Sequence, residues 1–228
     1  MAGNPTPPWP APVSTGLPKS APTADELRRR PLPALADEPL TRLLVRTGLL
    51  LGRKLIREVL GAEHVAGNDG PFILAPNHST RHEALLLPML VAALRGGRIV
   101  PFLADWNFAL IPGIGLTMRR GRCIFLTRKK AKPAFLNVFR PLFAGKVPAH
   151  ARARLVLERG TPVGIFPEGT TNAHGRLLLR GQTGAAQLSL QTGAPVLPAG
   201  PRPPRPTPAG RGRPLGAPPG GLCGPAPP

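Results

Sequence analysis

Proline decides where this chain can fold. Ten prolines lie in residues 1–39 and eleven in residues 201–228, so the 161 residues between them hold only twelve. Each proline ring locks φ and removes a backbone donor, so proline-dense segments build neither helix interiors nor central strands. The distribution predicts a folded domain over residues 40–200, flanked by Pro-rich disordered tails at 1–39 and 201–228. A chain of 228 residues suits one domain with a sizeable core.

Within that span, strand-like and helix-like runs alternate. Short apolar runs at 72–76, 98–103, 122–127, 162–166 and 194–199 read as strands. Longer runs at 81–95, 133–143, 149–159 and 182–192 read as helices. Such alternation predicts an α/β domain, a mostly parallel twisted sheet flanked by helices. Ahead of it, residues 40–60 place leucines at helical spacing with Arg42, Arg46, Arg53, Lys54 and Arg57 between them. This is a basic amphipathic helix that either lies in a membrane interface or packs its apolar stripe on the domain. The catalytic core is then expected over 70–200.

The formal net charge is +19, which calls for an anionic partner: nucleic acid, anionic lipid headgroups or a phosphorylated substrate. A basic cluster lies mid-chain, at Arg119, Arg120, Arg122, Arg128, Lys129, Lys130 and Lys132. Aromatics are 4% of the chain and Tyr is absent, so stacking platforms for bases are scarce and no specific nucleic acid is expected. The two cysteines, Cys123 and Cys223, form no CxxC pair, which argues against a disulfide framework or a zinc site. Neither a signal peptide nor a membrane-spanning run of about 18 apolar residues is read from the sequence.

Acid is the scarce commodity. Beyond residue 64 the acids are Asp69, Glu83, Asp105, Glu158 and Glu168, and two of them sit in special strings. The first string is Asn77-His78-Ser79-Thr80-Arg81-His82-Glu83. Five positions apart on one helix, His78 and Glu83 would lie about 140° apart around the axis. With His78 in the turn before the helix and Glu83 in its first turn, the carboxylate can reach back to Nδ1. It then fixes the tautomer and leaves Nε2 as a base; the residues alone also allow a helix-capping His78 with a solvated Glu83. His78 and His82 have metal-ligand spacing, but no further ligand cluster accompanies them and no metal is expected. His64, His150 and His174 read as surface residues.

The second string, Phe166-Pro167-Glu168-Gly169-Thr170, follows a strand-like run. It puts a carboxylate and free backbone N–H groups at a strand end, where α/β sheets bind ligands. Gly169 permits close approach of the backbone to a ligand.

These two strings, in this order, resemble the motifs of the glycerolipid acyltransferases of the 1-acylglycerol-3-phosphate acyltransferase type. Gly121…Phe125-Leu126-Thr127-Arg128 is similar to the family's intervening basic motif, and Ala194-Pro195-Val196-Leu197-Pro198 to its fourth. The resemblance covers residues 40–200, with Glu83 standing where the family usually has Asp. It implies transfer of an acyl group from a CoA or acyl-carrier-protein thioester to the hydroxyl of a lysophospholipid, giving phosphatidic acid. His78 and Glu83 would be catalytic. Arg128, Glu168, Gly169 and Thr170 would bind substrate, with Lys129 or Lys130 assisting Arg128. No cofactor beyond the acyl donor is implied. The resemblance favours the membrane reading of residues 40–60 and a peripheral or monotopic place on the cytoplasmic face of an anionic membrane. Two rival readings stand beside it. One is an inactive membrane-associated remnant of the family, because residues 201–228 read as a frame-shifted or truncated end. The other is a basic nucleic-acid-binding protein.

Overall fold

The computed structural model describes residues 21–78, 82–170 and 179–200. It is a mixed α/β structure with parallel strands flanked by helices, as the alternation predicts. Strand β1 (Ile73–Pro76) is central, paired in parallel with β4 (Val163–Gly164) on one side and β5 (Val196–Ala199) on the other. A second parallel pair joins β2 (Leu103–Asp105) and β3 (Ile124–Leu126). The parallel bridge Phe102↔Gly164 links this pair to β4. The register is direct, Ile73 opposite both Val163 and Val196.

Helices connect the strands, as parallel pairing requires. They are α4 (Glu83–Leu94), α5 (Ile114–Arg120), α6 (Ala149–Glu158) and α7 (Gly184–Thr192), with 3₁₀ segments at Trp106–Leu110 and Ala134–Leu142, and the one-turn α3 (Glu63–Ala66) lies ahead of β1. One apolar layer joins Ile73, Ile124, Val163 and Ile165 to Ala153, Leu157 and Leu188. The other joins Phe72, Leu74, Val91, Val100 and Phe102.

Of the strand expected at 98–103, only Phe102, in its lone bridge to Gly164, and Leu103, the first residue of β2, pair. Proline has no N–H for the ladder, and the carbonyl of Pro101 instead accepts from the Gly164 N–H at 2.8 Å. Gly164 is glycine for a steric reason, since a Cβ there would overlap the ring carbons of buried Phe102. Gly164→Ala is expected to cost about 1–3 kcal/mol by overpacking, read as a lowered melting temperature with the fold retained.

The expected helix at 40–60 is α2 (Pro39–Gly52), shorter by two turns. Its apolar stripe (Val45 and Leu49, with Thr41, Gly48 and Gly52) is buried. Gly48 and Gly52 lie against Met89 and Leu86 of α4 so closely that a Cβ at either would collide. The stripe offered to a membrane is therefore taken up by the core, and of the leucines of α2 Leu43, Leu50 and Leu51 are exposed. Glu38, at the start of α2, accepts from Thr41 Oγ1 at 2.8 Å and pairs with Arg122 at 2.9 Å. The Thr41 hydrogen bond, with Arg122 beside it, holds the Glu38 carboxyl below its ordinary value. A depressed folded-state pKa stabilises above the unfolded value and stops doing so as pH falls through the folded one. Glu38→Gln is thus expected to lower the melting temperature at pH 7, by an amount that shrinks as pH falls through the depressed folded-state value.

Residues 1–39 read as a disordered tail, yet α1 (Ala24–Arg29) and the turn Pro33–Leu35 pack Leu27, Leu32 and Leu35 against α2 and α4. A capping box starts α1: Thr23 accepts from the Glu26 N–H, and Glu26 accepts from the Thr23 N–H.

Candidate functional site

The parallel sheet brings the three motif loops to one edge. His78 follows β1 by two residues, Arg128 follows β3 by two, and Glu168 follows β4 by four. All three therefore leave the carboxyl ends of parallel strands, where α/β sheets bind ligands.

His78 lies in the turn before α4, and Glu83 is the first residue of that helix. His78 Nδ1 faces Glu83 Oε2 at 3.7 Å, and the two side chains are only 14% and 16% exposed. This is an ion-pair separation, slightly longer than a hydrogen bond. A reduced dielectric strengthens such coupling. The carboxylate meets the Nδ1 side of the ring, so the arrangement can hold the tautomer that keeps a lone pair on Nε2.

The His78 ring stacks on Phe166, centroids 4.6 Å apart, and Phe166 stacks on Phe102 at 5.8 Å. Motif residue Phe166 thus buttresses the imidazole from the β4 loop, a contact the sequence reading missed. Since Phe102 is the ring that closes over Gly164, crowding at Gly164 would be passed through two aromatic contacts to His78.

The basic loop after β3 is fastened from within. Trp106, fully buried, donates Nε1–H to the Lys129 carbonyl at 2.9 Å. Arg140 Nε donates to the Thr127 carbonyl at 2.9 Å. Asn137 accepts from the Ala131 N–H at 2.9 Å and donates to the carbonyls of Ala131 and Ala134. These bonds fix the backbone from which Arg128, Lys129 and Lys130 project, exposed, into solvent. Lys129 Nζ donates to the Gly169 carbonyl at 3.3 Å, clasping the β3 loop to the β4 loop.

In the β4 loop, Gly169 has φ of +63°, a left-handed conformation that favours glycine. The Pro167 carbonyl accepts from the Gln182 N–H at 2.7 Å, which ties the turn to the start of α7. Gly169 and Thr170 are exposed, while Glu168 is 7% exposed. Neither Glu168 carboxylate oxygen has a hydrogen-bond partner among the described residues. Asn77, next to His78, is held by its N–H on the Ala199 carbonyl at 3.1 Å. A Cβ at Gly200 would overlap its side-chain oxygen. The fourth motif, Ala194-Pro195-Val196-Leu197-Pro198, therefore supplies the strand that braces the His78 turn.

His82 is exposed at the N-cap position of α4 and makes no side-chain capping bond, and no group of three or more His, Cys, Asp and Glu among the described residues could hold a metal ion. His174 lies outside the described residues. Burial pushes the Cys123 thiol up to about 11, so at neutral pH it offers almost no thiolate for nucleophilic attack.

A family model described as Acyltransferase matches residues 56–201, which takes in all four motifs and the whole sheet. A search of curated proteins returns no match. On that match the chain belongs to the Acyltransferase family, the family of the glycerolipid and 1-acylglycerol-3-phosphate acyltransferases.

Proposed function

We propose that this O-acyltransferase moves a fatty acyl group from a CoA or acyl-carrier-protein thioester to the free hydroxyl of a lysophospholipid of the 1-acylglycerol-3-phosphate kind, in phospholipid biosynthesis. The observation that carries this is the His78–Glu83 pair, 3.7 Å apart, at the strand edge shared with the Arg128 and Glu168 loops. In this reading His78 Nε2 takes the proton from the acceptor hydroxyl as its oxygen attacks the thioester carbonyl. Glu83 holds the ring and stabilises the imidazolium. The tetrahedral intermediate collapses, the carbon–sulfur bond breaks, and the departing thiolate takes the proton back from His78. Transfer is direct, because the reaction needs no acyl-enzyme and Cys123 is poorly nucleophilic.

Arg128 binds the acceptor phosphate through charge-assisted hydrogen bonds, with Lys130 beside it. Lys129, engaged with the Gly169 carbonyl, holds the two loops together. Glu168, Gly169 and Thr170 position the glycerol. The enzyme works at the cytoplasmic face of an anionic membrane as a peripheral or monotopic protein, where its acceptor resides. Among the described residues no helix is long and apolar enough to cross a membrane.

Arg128→Ala separates acceptor binding from chemistry. Loss of a hydrogen bond to a charged group costs about 1.5–3 kcal/mol, so KM for lysophosphatidic acid should rise about 10–100-fold with the donor KM unchanged. With labelled acyl-CoA, wild-type enzyme should also prefer lysophosphatidic acid to a monoacylglycerol by a similar factor. Equal use of the phosphate-free acceptor would contradict the assignment.

A further inference from the structure

The segment Ala134–Leu142 is turned inside out. Its large apolar residues, Phe135, Val138, Phe139 and Leu142, recur in sequence at i, i+3, i+4 and i+7, an amphipathic pattern, and the segment that carries them is 3₁₀. In a domain surrounded by water such a stripe faces the core. Here it faces outward, with Phe135 71% exposed, Val138 71% and Leu142 77%. Polar groups meanwhile point in. Asn137 bonds to the Ala131 backbone and Arg140 to the Thr127 carbonyl, while Leu136 packs under the segment against Trp106, Ala131 and Phe143. The orientation is fixed by specific bonds and is no accident of a loose end. Exposed Phe108 and Ile111 line a separate groove with Leu136 and Lys132. An apolar patch of this kind, held rigidly in the open, marks an interaction surface.

Charge selects the occupant. Between Asp105 and Glu158 the chain has eleven Lys and Arg and no acid. Exposed Arg128, Lys130, Lys132 and Lys146 border the patch in sequence. A second copy would set the same basic rim against itself, and like charges there repel. An apolar stripe with a cationic rim instead matches an anionic bilayer, apolar residues among the acyl chains and cations on the phosphates.

We propose that the outward face of Ala134–Leu142 is the membrane-docking surface of this protein, seated in an anionic lipid bilayer. The proposal rests on the lipid-acceptor reading for its purpose. It places docking on this segment, whereas the sequence pointed to α2, whose stripe is buried. Docking here sets the loop carrying Arg128 at headgroup level, because that loop runs directly into the segment.

The test is co-sedimentation of the full chain with vesicles of phosphatidylcholine alone or with phosphatidylglycerol added. Wild type should bind the anionic vesicles and be released by salt. The combined change Phe135→Ser, Val138→Ser, Phe139→Ser and Leu142→Ser should weaken partitioning about a hundredfold. Leu43→Ser with Leu51→Ser on α2 should leave it within about threefold of wild type. Because the fourfold variant could misfold, a Val138→Trp reporter provides an independent reading: its added emission should shift to the blue on anionic vesicles only. Undiminished binding by the fourfold variant, no blue shift, or a wild-type dimer that the variant dissolves without vesicles would each overturn the proposal. Acyl transfer to a short-chain acceptor in free solution keeps the two readings apart. The fourfold variant should match wild type there, and if neither protein transfers, the enzymatic reading fails while vesicle binding still decides the docking surface.

Discussion

Replacing His78 by alanine is expected to lower acyl transfer by about 10²–10⁴-fold, the usual worth of a positioned general base. The loss should fall on kcat, with KM for both substrates changed little, because the proton is in flight only in the transition state. The fold should survive. His78 lies outside the helices and strands, and its contacts include the Glu83 carboxylate and the ring of Phe166. Retained circular dichroism with lost turnover would separate chemistry from structure. Glu83→Ala should also lower kcat, because the ring then loses the group that orients it, while Glu83→Asp restores the family's usual acid and should retain much of the rate.

Glu168→Met is expected to move stability and activity in opposite directions. Both carboxylate oxygens are buried without a hydrogen-bond partner among the described residues. A buried polar group in that condition costs about 1–3 kcal/mol. A side chain of similar length with no polar atoms should recover about 2 kcal/mol, raising the melting temperature by about 4–8 °C for a domain of this size. Acceptor use should fall meanwhile, with KM up at least about tenfold, since an acceptor hydroxyl loses its hydrogen-bond acceptor. Such opposition is the mark of a group kept for function at a cost in stability. A lower melting temperature in Glu168→Met would instead make this carboxylate a structural element.

Much of the architecture was legible because strand and helix periods differ. The runs around Ile73, Ile124, Val163 and Val196 became strands, and those around Leu90, Leu157 and Leu188 became helices. The five-residue spacing left two arrangements of His78 and Glu83 open, a facing pair or a helix-capping His with a solvated Glu, and the structure has the two side chains facing each other. Failures came where local pattern does not name its tertiary partner. The stripes of α2 and of Ala134–Leu142 look alike in sequence, yet one packs on α4 and the other faces outward. The bonds of Asn137 and Arg140 to neighbouring backbone, with Leu136 packed inward, hold the second in that orientation. Helix α1 was hidden by the prolines around it, although Thr23 and Glu26, three apart, carry the capping-box signal that could have found it. The stack of His78 on Phe166 and the Lys129–Gly169 clasp join segments about 40 to 90 residues apart. No single-sequence pattern registers such meetings.

The central claim is that His78 and Glu83 work as one unit, and a double-mutant cycle in kcat tests it most directly. Wild type, His78→Ala, Glu83→Ala and the double variant would be compared with acyl-CoA and lysophosphatidic acid under saturating conditions. Glu83 acts through the imidazole, so the double variant should be no slower than His78→Ala alone. Losses that multiply across the two sites would contradict the account, because Glu83 would then serve the reaction by a route that does not pass through His78.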